Sequence, residues 1–301
     1  MFSRRIIMAA LSAIWILAAA AGPAAATRPN RAGAVEQPLT AEERAASDRK
    51  VAAAQRYLAT PEARAAVRVS LVCVTPEGIV PRNTDIGDAG TTGAETNATG
   101  CGGVPSAFLP VSARDQVRNT YCGPAVGQVI ANYTWAMAAN ANKYTQAQLA
   151  AWMQTDRYGG TSAHTLEDGL ELGTAGAPRR PVGWDWVVTN LTDSDRDGTF
   201  GDQLHDYVRA NVSGSRMALA IPVLPHEDGG RFHLSSWPRP VNSPGHWIAA
   251  YGWLGMYDGT NSSRIYYTDS SQDEGGATGR FWDPMRHMGG MIMDHTGRFV
   301  W

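Results

Sequence analysis

The stretch QVRNTYCGPAVGQVIANY, Gln116 to Tyr133, decides how the rest of the chain is read. After Cys122 come Gly123-Pro124-Ala125. Ala125, Val126, Val129, Ile130 and Tyr133 then fall at i, i+1, i+4, i+5 and i+8, an apolar stripe of one α-helix. Proline fits the first helical turn, where its missing N–H would have no partner anyway. The spacing therefore predicts a helix with Cys122 at or just before its N-terminus. Unpaired N–H groups and the positive dipole end favour thiolate there, the form in which cysteine is a nucleophile. A buried cysteine that merely packs at a helix start is the competing reading.

The first residues address the compartment. Arg4 and Arg5 precede an apolar run from Ile6 to about Ala21, then Gly22-Pro23 and Ala24-Ala25-Ala26. A charged start, an apolar middle and a small-residue end read as a signal peptide over 1–26. Gly22 and Pro23 end the run short of the roughly twenty apolar residues a membrane anchor needs. Ser3-Arg4-Arg5 hints at the twin-arginine route. The expectation is a secreted, extracellular protein with no membrane partner once the signal is removed. Net charge is −2 for the full chain, which gives no reason to expect nucleic acid or an anionic surface as partner.

Three cysteines, Cys73, Cys101 and Cys122, leave one thiol over in an oxidising compartment. Three pairings exist on paper. Cys73–Cys101 is the economical one, closing a Gly/Thr-rich loop and leaving Cys122 free; the alternatives pair Cys122 and leave another thiol as the spare.

Residues 27–105 read as an N-terminal extension or propeptide. They comprise a Pro/Gly/Ala-rich leader, a helix from Ala41 to about Leu58, a strand over 67–74, and loop over 76–104. From 106 to 301 a compact domain is expected. Helices are predicted at 145–153 with Thr145 as cap, at 165–172 and at 203–211. Strands follow at 217–224, where Pro222 points to an edge or a bulge, at 245–253, at 264–269 and at the C-terminal end. Helices first and antiparallel strands second define an α+β fold.

A cysteine nucleophile needs a base, a group to orient the base, and donors for the oxyanion. Of seven histidines, His246 alone opens an apolar strand, just after Ser243-Pro244-Gly245. Asp269 ends the next strand, and antiparallel pairing of the two would set it beside His246, where it can fix the imidazole tautomer. Asp283, before Pro284, is a weaker substitute. Gln116, six residues before Cys122, can turn its amide toward an oxyanion at the helix start. A core histidine, a turn-forming Asp and a solvent-facing Gln are the corresponding bland readings.

Together these residues resemble the papain-like cysteine peptidases, in particular the bacteriocin-processing branch and its secreted relatives. The resemblance rests on Gln116, Tyr121-Cys122-Gly123-Pro124-Ala125, Gly245-His246-Trp247 with Tyr251-Gly252-Trp253, and Thr268-Asp269, over about 106–301. It implies a papain-like fold and a cysteine peptidase acting on a peptide or protein substrate. Cys122 would be the nucleophile, His246 the base, Asp269 its orienter and Gln116 an oxyanion donor, with no cofactor required. Two features depart from the pattern: Ser270 follows Asp269 where many relatives have proline, and the Cys-Gly-Ser-Cys-Trp run of papain itself is missing. Members linked to transporters cut leader peptides after paired glycines; nothing in this chain carries that substrate over. A papain-like binding protein with a dead site, and an acyltransferase or cell-wall amidase on the same residues, are the rival functions.

One stretch points to a metal. Asp193, Asp195 and Asp197 with Gly198 match the first half of a calcium loop, but position 12 is Leu204 rather than a bidentate Glu. The run reads either as a solvated acidic turn before the helix at 203 or as a site for a structural calcium.

Overall fold

The helix predicted around Cys122 spans Cys122–Thr134, and every one of its residues is buried. An apolar stripe would bury only one face. Here the polar positions are internal too, because their side chains take over loop backbone: Gln128 donates to the Tyr144 carbonyl at 2.7 Å, and Asn132 accepts from Lys143 N at 2.9 Å.

The structure, a computed structural model, describes residues 36–65, 68–75, 78–81, 100–192, 200–226, 232–240, 245–271 and 276–301. The calcium-like Asp193, Asp195 and Asp197 and the signal segment lie outside them. All described residues belong to one unit, Arg31–Trp301. Its helices are α1 (Ala41–Leu58), α2 (Pro61–Ala65), α3 (Cys122–Thr134), α4 (Gln146–Trp152), α5 (Ala163–Thr174), α6 (Gly201–Arg209) running into a π-helical turn at Ala210–Ser215, and α7 (Met285–His295). The strands are β1 (Arg68–Thr75), β2 (Gly78–Pro81), β3 (Gly100–Phe108), β4 (Val188–Asn190), β5 (Leu219–Val223), β6 (His246–Leu254), β7 (Arg264–Asp269), β8 (Gly279–Pro284) and β9 (Arg298–Val300). Capping boxes at Thr40 and Thr145 set the starts of α1 and α4.

One sheet holds all nine strands in the order β2-β1-β3-β6-β5-β9-β4, with β7 and β8 added on β6. Every described pairing is antiparallel, so the protein is α+β. β6 is the centre: β5 lies along its first half, β3 along its second, and β7 on its other edge. All nine of its residues are buried. Pro222 sits in β5 opposite Trp247, beyond the single point where β9 pairs at Ala220; its missing N–H therefore costs no ladder bond on that side.

Two expectations need correction. Residues 76–104 are not all loop, since β2 and most of β3 fall there. β3 (GCGGVPSAF) carries three glycines and a proline, which lower strand propensity. Its ladder to β1 and β6 is made by backbone groups, which need no particular side chains. The boundary placed at residue 105 consequently falls inside β3. The second is α7, which a Gly- and Met-rich tail concealed. Gly290 is there for packing: a Cβ on it would lie 2.5 Å from the Phe232 ring.

α1 packs on this body. Ser47 and Thr189 hydroxyls meet at 2.9 Å, and Lys50 Nζ donates to the carbonyls of Asp185 and Trp301 while lying 3.6 Å over the Trp184 ring. Among the described residues no helix is long and apolar enough to cross a membrane.

Candidate active site

Cys122 is the first residue of α3 and is a free, buried cysteine. Tyr121 before it supplies no side-chain cap, so the first N–H groups of the helix are left to whatever occupies the space in front of them. Gly123 lets this turn press against the α4–α5 connection: a Cβ there would meet Thr161 Oγ1 at 2.5 Å and Thr161 Cβ at 2.7 Å. Thr161 is fixed in turn, its hydroxyl 2.8 Å from Thr155 Oγ1 and its carbonyl accepting from Trp247 Nε1 at 2.9 Å.

His246 opens β6 directly after Gly245, whose φ of 144° and contact with the His295 ring both demand glycine. β6 and β7 pair from Leu254↔Arg264 to Ala249↔Thr268. The start of one strand and the end of the other therefore meet at the same end of the sheet. His246 Nε2 lies 2.7 Å from Asp269 Oδ1, and Cys122 is near enough to the imidazole to favour its charged form; with Nε2 committed to Asp269, Nδ1 is the nitrogen left for the sulfur. The structure thus brings Cys122, His246 and Asp269 into one contiguous chain. His246 is 4% and Asp269 1% exposed, so the pair works at low dielectric, where each contact weighs more.

Burial opposes a charge on His246, but the Asp269 carboxylate, its hydrogen bond and the contact with Cys122 outweigh it and lift the imidazole to about 10. For Asp269 the balance runs the other way: burial pushes it up, and His246 with three further donors brings it below the usual carboxylate value. Those donors are Ser236 Oγ at 2.7 Å and Trp237 Nε1 at 2.9 Å on Oδ2, and Ser271 N at 2.8 Å on Oδ1. The Trp237 ring also stands 5.1 Å from the His246 ring, centroid to centroid, and walls the pair off from water.

Gln116 is tied to the same strand end. Its backbone N–H donates to the Ser270 carbonyl at 2.9 Å, and its Oε1 accepts from Ser270 Oγ at 3.4 Å. Its Nε2 donates to the Asn119 carbonyl at 3.3 Å, which uses one of two amide hydrogens. Asp283 is not bonded to His246. Its Oδ2 takes the Tyr267 hydroxyl at 2.7 Å and Ser235 N at 3.1 Å, and burial lifts it to about 6.

The other histidines serve elsewhere. His205 bonds the Gly255 carbonyl, His226 and His233 stack on each other, and His287 stacks on Phe232. His295, pressed on Gly245, is pushed down to about 4 by burial. Glu43, His164 and Glu167 bring potential ligand atoms within 4.8 Å of one another. Both His164 nitrogens already face oxygens, Glu43 Oε1 at 2.9 Å and the Gln37 carbonyl at 3.0 Å, so the cluster reads as a latch between α1 and α5 rather than a metal site.

Ser236, Trp237 and Thr161 were invisible to sequence reasoning. They come from loops, where no period marks a residue; a Ser-Ser-Trp-Pro run at 235–238 was the only trace. No protein-family model matches the chain, and no curated protein is significantly similar to it.

Proposed function

We propose that this chain is a secreted cysteine peptidase of papain-like type, which hydrolyses a peptide or amide bond through a thioester on Cys122. The observation that carries the reading is the buried contact chain from Cys122 through His246 to Asp269, on a sulfur at the open end of a helix. Cys122 attacks the carbonyl carbon as thiolate. The developing oxyanion is met by the Cys122 backbone N–H and the remaining Gln116 amide hydrogen. Imidazolium His246 gives its proton to the leaving nitrogen as the C–N bond breaks. Neutral His246 then takes a proton from water, whose oxygen attacks the thioester and releases the acid and the thiolate. Asp269 keeps Nε2–H in place throughout, so that Nδ1 is the atom that exchanges the proton.

The reading extends to the other two cysteines. The β1–β3 register sets Cys73 directly opposite Cys101, and opposed residues of an antiparallel pair lie within disulfide reach. A Cys73–Cys101 bridge would leave Cys122 as the one thiol of an exported protein.

The test is hydrolysis of a mixed peptide library read by mass spectrometry. Wild-type protein is expected to generate new termini, and Cys122→Ala and His246→Ala none. Equal cleavage by Cys122→Ala, or no cleavage by wild type across peptide and amide libraries, would overturn the reading.

A further inference from the structure

We propose that Asp283 is a positioning residue for the Cys122–His246–Asp269 site: through Tyr267 and Ser235 it holds the strap that delivers Ser236 and Trp237 to Asp269. This rests on the reading of that site as a cysteine hydrolase.

Two of the four groups that bond Asp269 come from one short piece of loop, Ser236 and Trp237, and both land on Oδ2. No regular strand holds that piece. The His226 ring meets the Trp237 carbonyl at 2.6 Å, and Leu234 N donates to the Pro225 carbonyl at 2.8 Å; on the side facing Asp269 the hold is the next polar layer. Ser235 N donates to Asp283 Oδ2 at 3.1 Å, and the Ser235 hydroxyl reaches the Trp282 carbonyl at 3.0 Å. The Tyr267 hydroxyl bridges, 2.7 Å from Asp283 Oδ2, 3.2 Å from Ser235 Oγ and 3.3 Å from Ser236 Oγ. β7 supplies Tyr267 and Asp269, and β8 supplies Asp283 opposite Ile265. The two carboxylates therefore bracket the strap, one on the site side and one behind it.

Counting hydrogens shows what each link can do. Ser236 has one hydroxyl proton, and Asp269 takes it. Tyr267 has one, and ionised Asp283 takes it, so Tyr267 can accept from Ser235, while its 3.3 Å contact with Ser236 Oγ carries no hydrogen. Tyr267 stays protonated because burial raises it well above its usual value. If Asp283 gains a proton, it donates to the Tyr267 oxygen, and Tyr267 donates to a serine oxygen instead. Ser236 still bonds Asp269 in either direction. Asp283 thus acts through geometry, as a two-way anchor, rather than by passing its charge to Asp269.

That distinction sets the experiment. The readout is the pH profile of Cys122 carbamidomethylation by iodoacetamide, followed on the Cys122 peptide by mass spectrometry. It reports the thiolate–imidazolium pair without any substrate. Asp283→Ala removes the anchor; the reaction at pH 6 is expected to slow about tenfold, the cost of a buried donor left without its acceptor, with the profile displaced to higher pH. Asp283→Asn, with its amide oxygen in the Oδ2 place, can still accept from both Ser235 N and the Tyr267 hydroxyl, and is expected to stay within about twofold of wild type. Should Asp283→Ala fail to fold, Tyr267→Phe cuts the bridge while keeping the Ser235 bond; a slowing of about threefold is expected, and a profile coincident with wild type would overturn the proposal. An Asp283→Asn as slow as Asp283→Ala would also overturn it, since charge would then be the agent. The His246→Ala control separates the two claims. If its profile coincides with wild type, the hydrolase reading itself fails. If it differs while Asp283→Ala coincides with wild type, only the positioning role falls.

Discussion

Gly123 and Thr161 are in such close contact that a single added carbon on Gly123 would sit 2.5 Å from the Thr161 hydroxyl oxygen. Helical glycine normally gains stability when replaced by alanine, by roughly 1 kcal/mol. Here the sign reverses. Thr161 is buried and bonded to Thr155, and its backbone carbonyl holds Trp247, so it cannot swing aside. Gly123→Ala is expected to destabilise by about 2 kcal/mol, the cost of overpacking, and to displace Cys122 from His246. Urea unfolding measures the first and iodoacetamide reactivity the second; a variant more stable than wild type and equally reactive contradicts this packing.

The His246–Asp269 pair predicts how stability follows pH. His246 is lifted to about 10 from a usual 6.5, so its contribution is complete below about 6.5 and is lost as pH rises through 10. Asp269 is lowered, so its contribution is present above the usual carboxylate value and lost as pH falls below it. Wild type should lose a few kcal/mol between pH 7 and 10.5 that His246→Gln does not lose. Denaturant midpoints of the two proteins over that range provide the check, and parallel curves would rule the coupling out.

Asp283 has the opposite character. Its folded value of about 6 lies above the 3.8 of an unperturbed aspartate, so ionisation costs stability: nothing below pH 4, and the full amount above pH 6. Asp283→Asn removes that cost and should gain on the order of 2 kcal/mol at pH 8, with no gain at pH 4. Melting temperatures at the two pH values decide it; a variant no more stable at pH 8 than at pH 4, relative to wild type, would show that the carboxylate is not under this strain.

The opposed positions of Cys73 and Cys101 lead to a thiol count. Unfolded without reductant, protein produced in an oxidising compartment should titrate one thiol per chain, mapped to Cys122; after reduction it should titrate three. Cys73→Ser should lower stability by about 3 kcal/mol for a loop of this size. Three thiols without reduction would remove the bridge.

Much of the site could be read from residues whose chemistry is tied to element ends. Cys122 before Pro124, His246 after Gly245 and Asp269 at the close of a strand each sit where periodicity stops, and the structure brings them together. Elements whose residues contradict their own propensity stayed hidden. β3 is held by backbone ladders despite its glycines, and α7 keeps Gly290 because Phe232 needs the space. The strap of Ser236 and Trp237 was hidden for another reason: its position relative to Asp269 is set by Tyr267 and Asp283, from two other strands, a relation no local window contains. Gln116 was legible from its place six residues before Cys122, but its tie to Ser270 and the hydrogen it commits to Asn119 were not.

The most direct measurement is the mass of the protein during its reaction with a p-nitrophenyl ester at pH 7. The account predicts a burst of one equivalent of nitrophenol, with the acyl group found on Cys122 alone. In His246→Ala that burst should slow by at least about a hundredfold. Acylation spread over surface groups, or a His246→Ala protein that acylates Cys122 as fast as wild type, would contradict it.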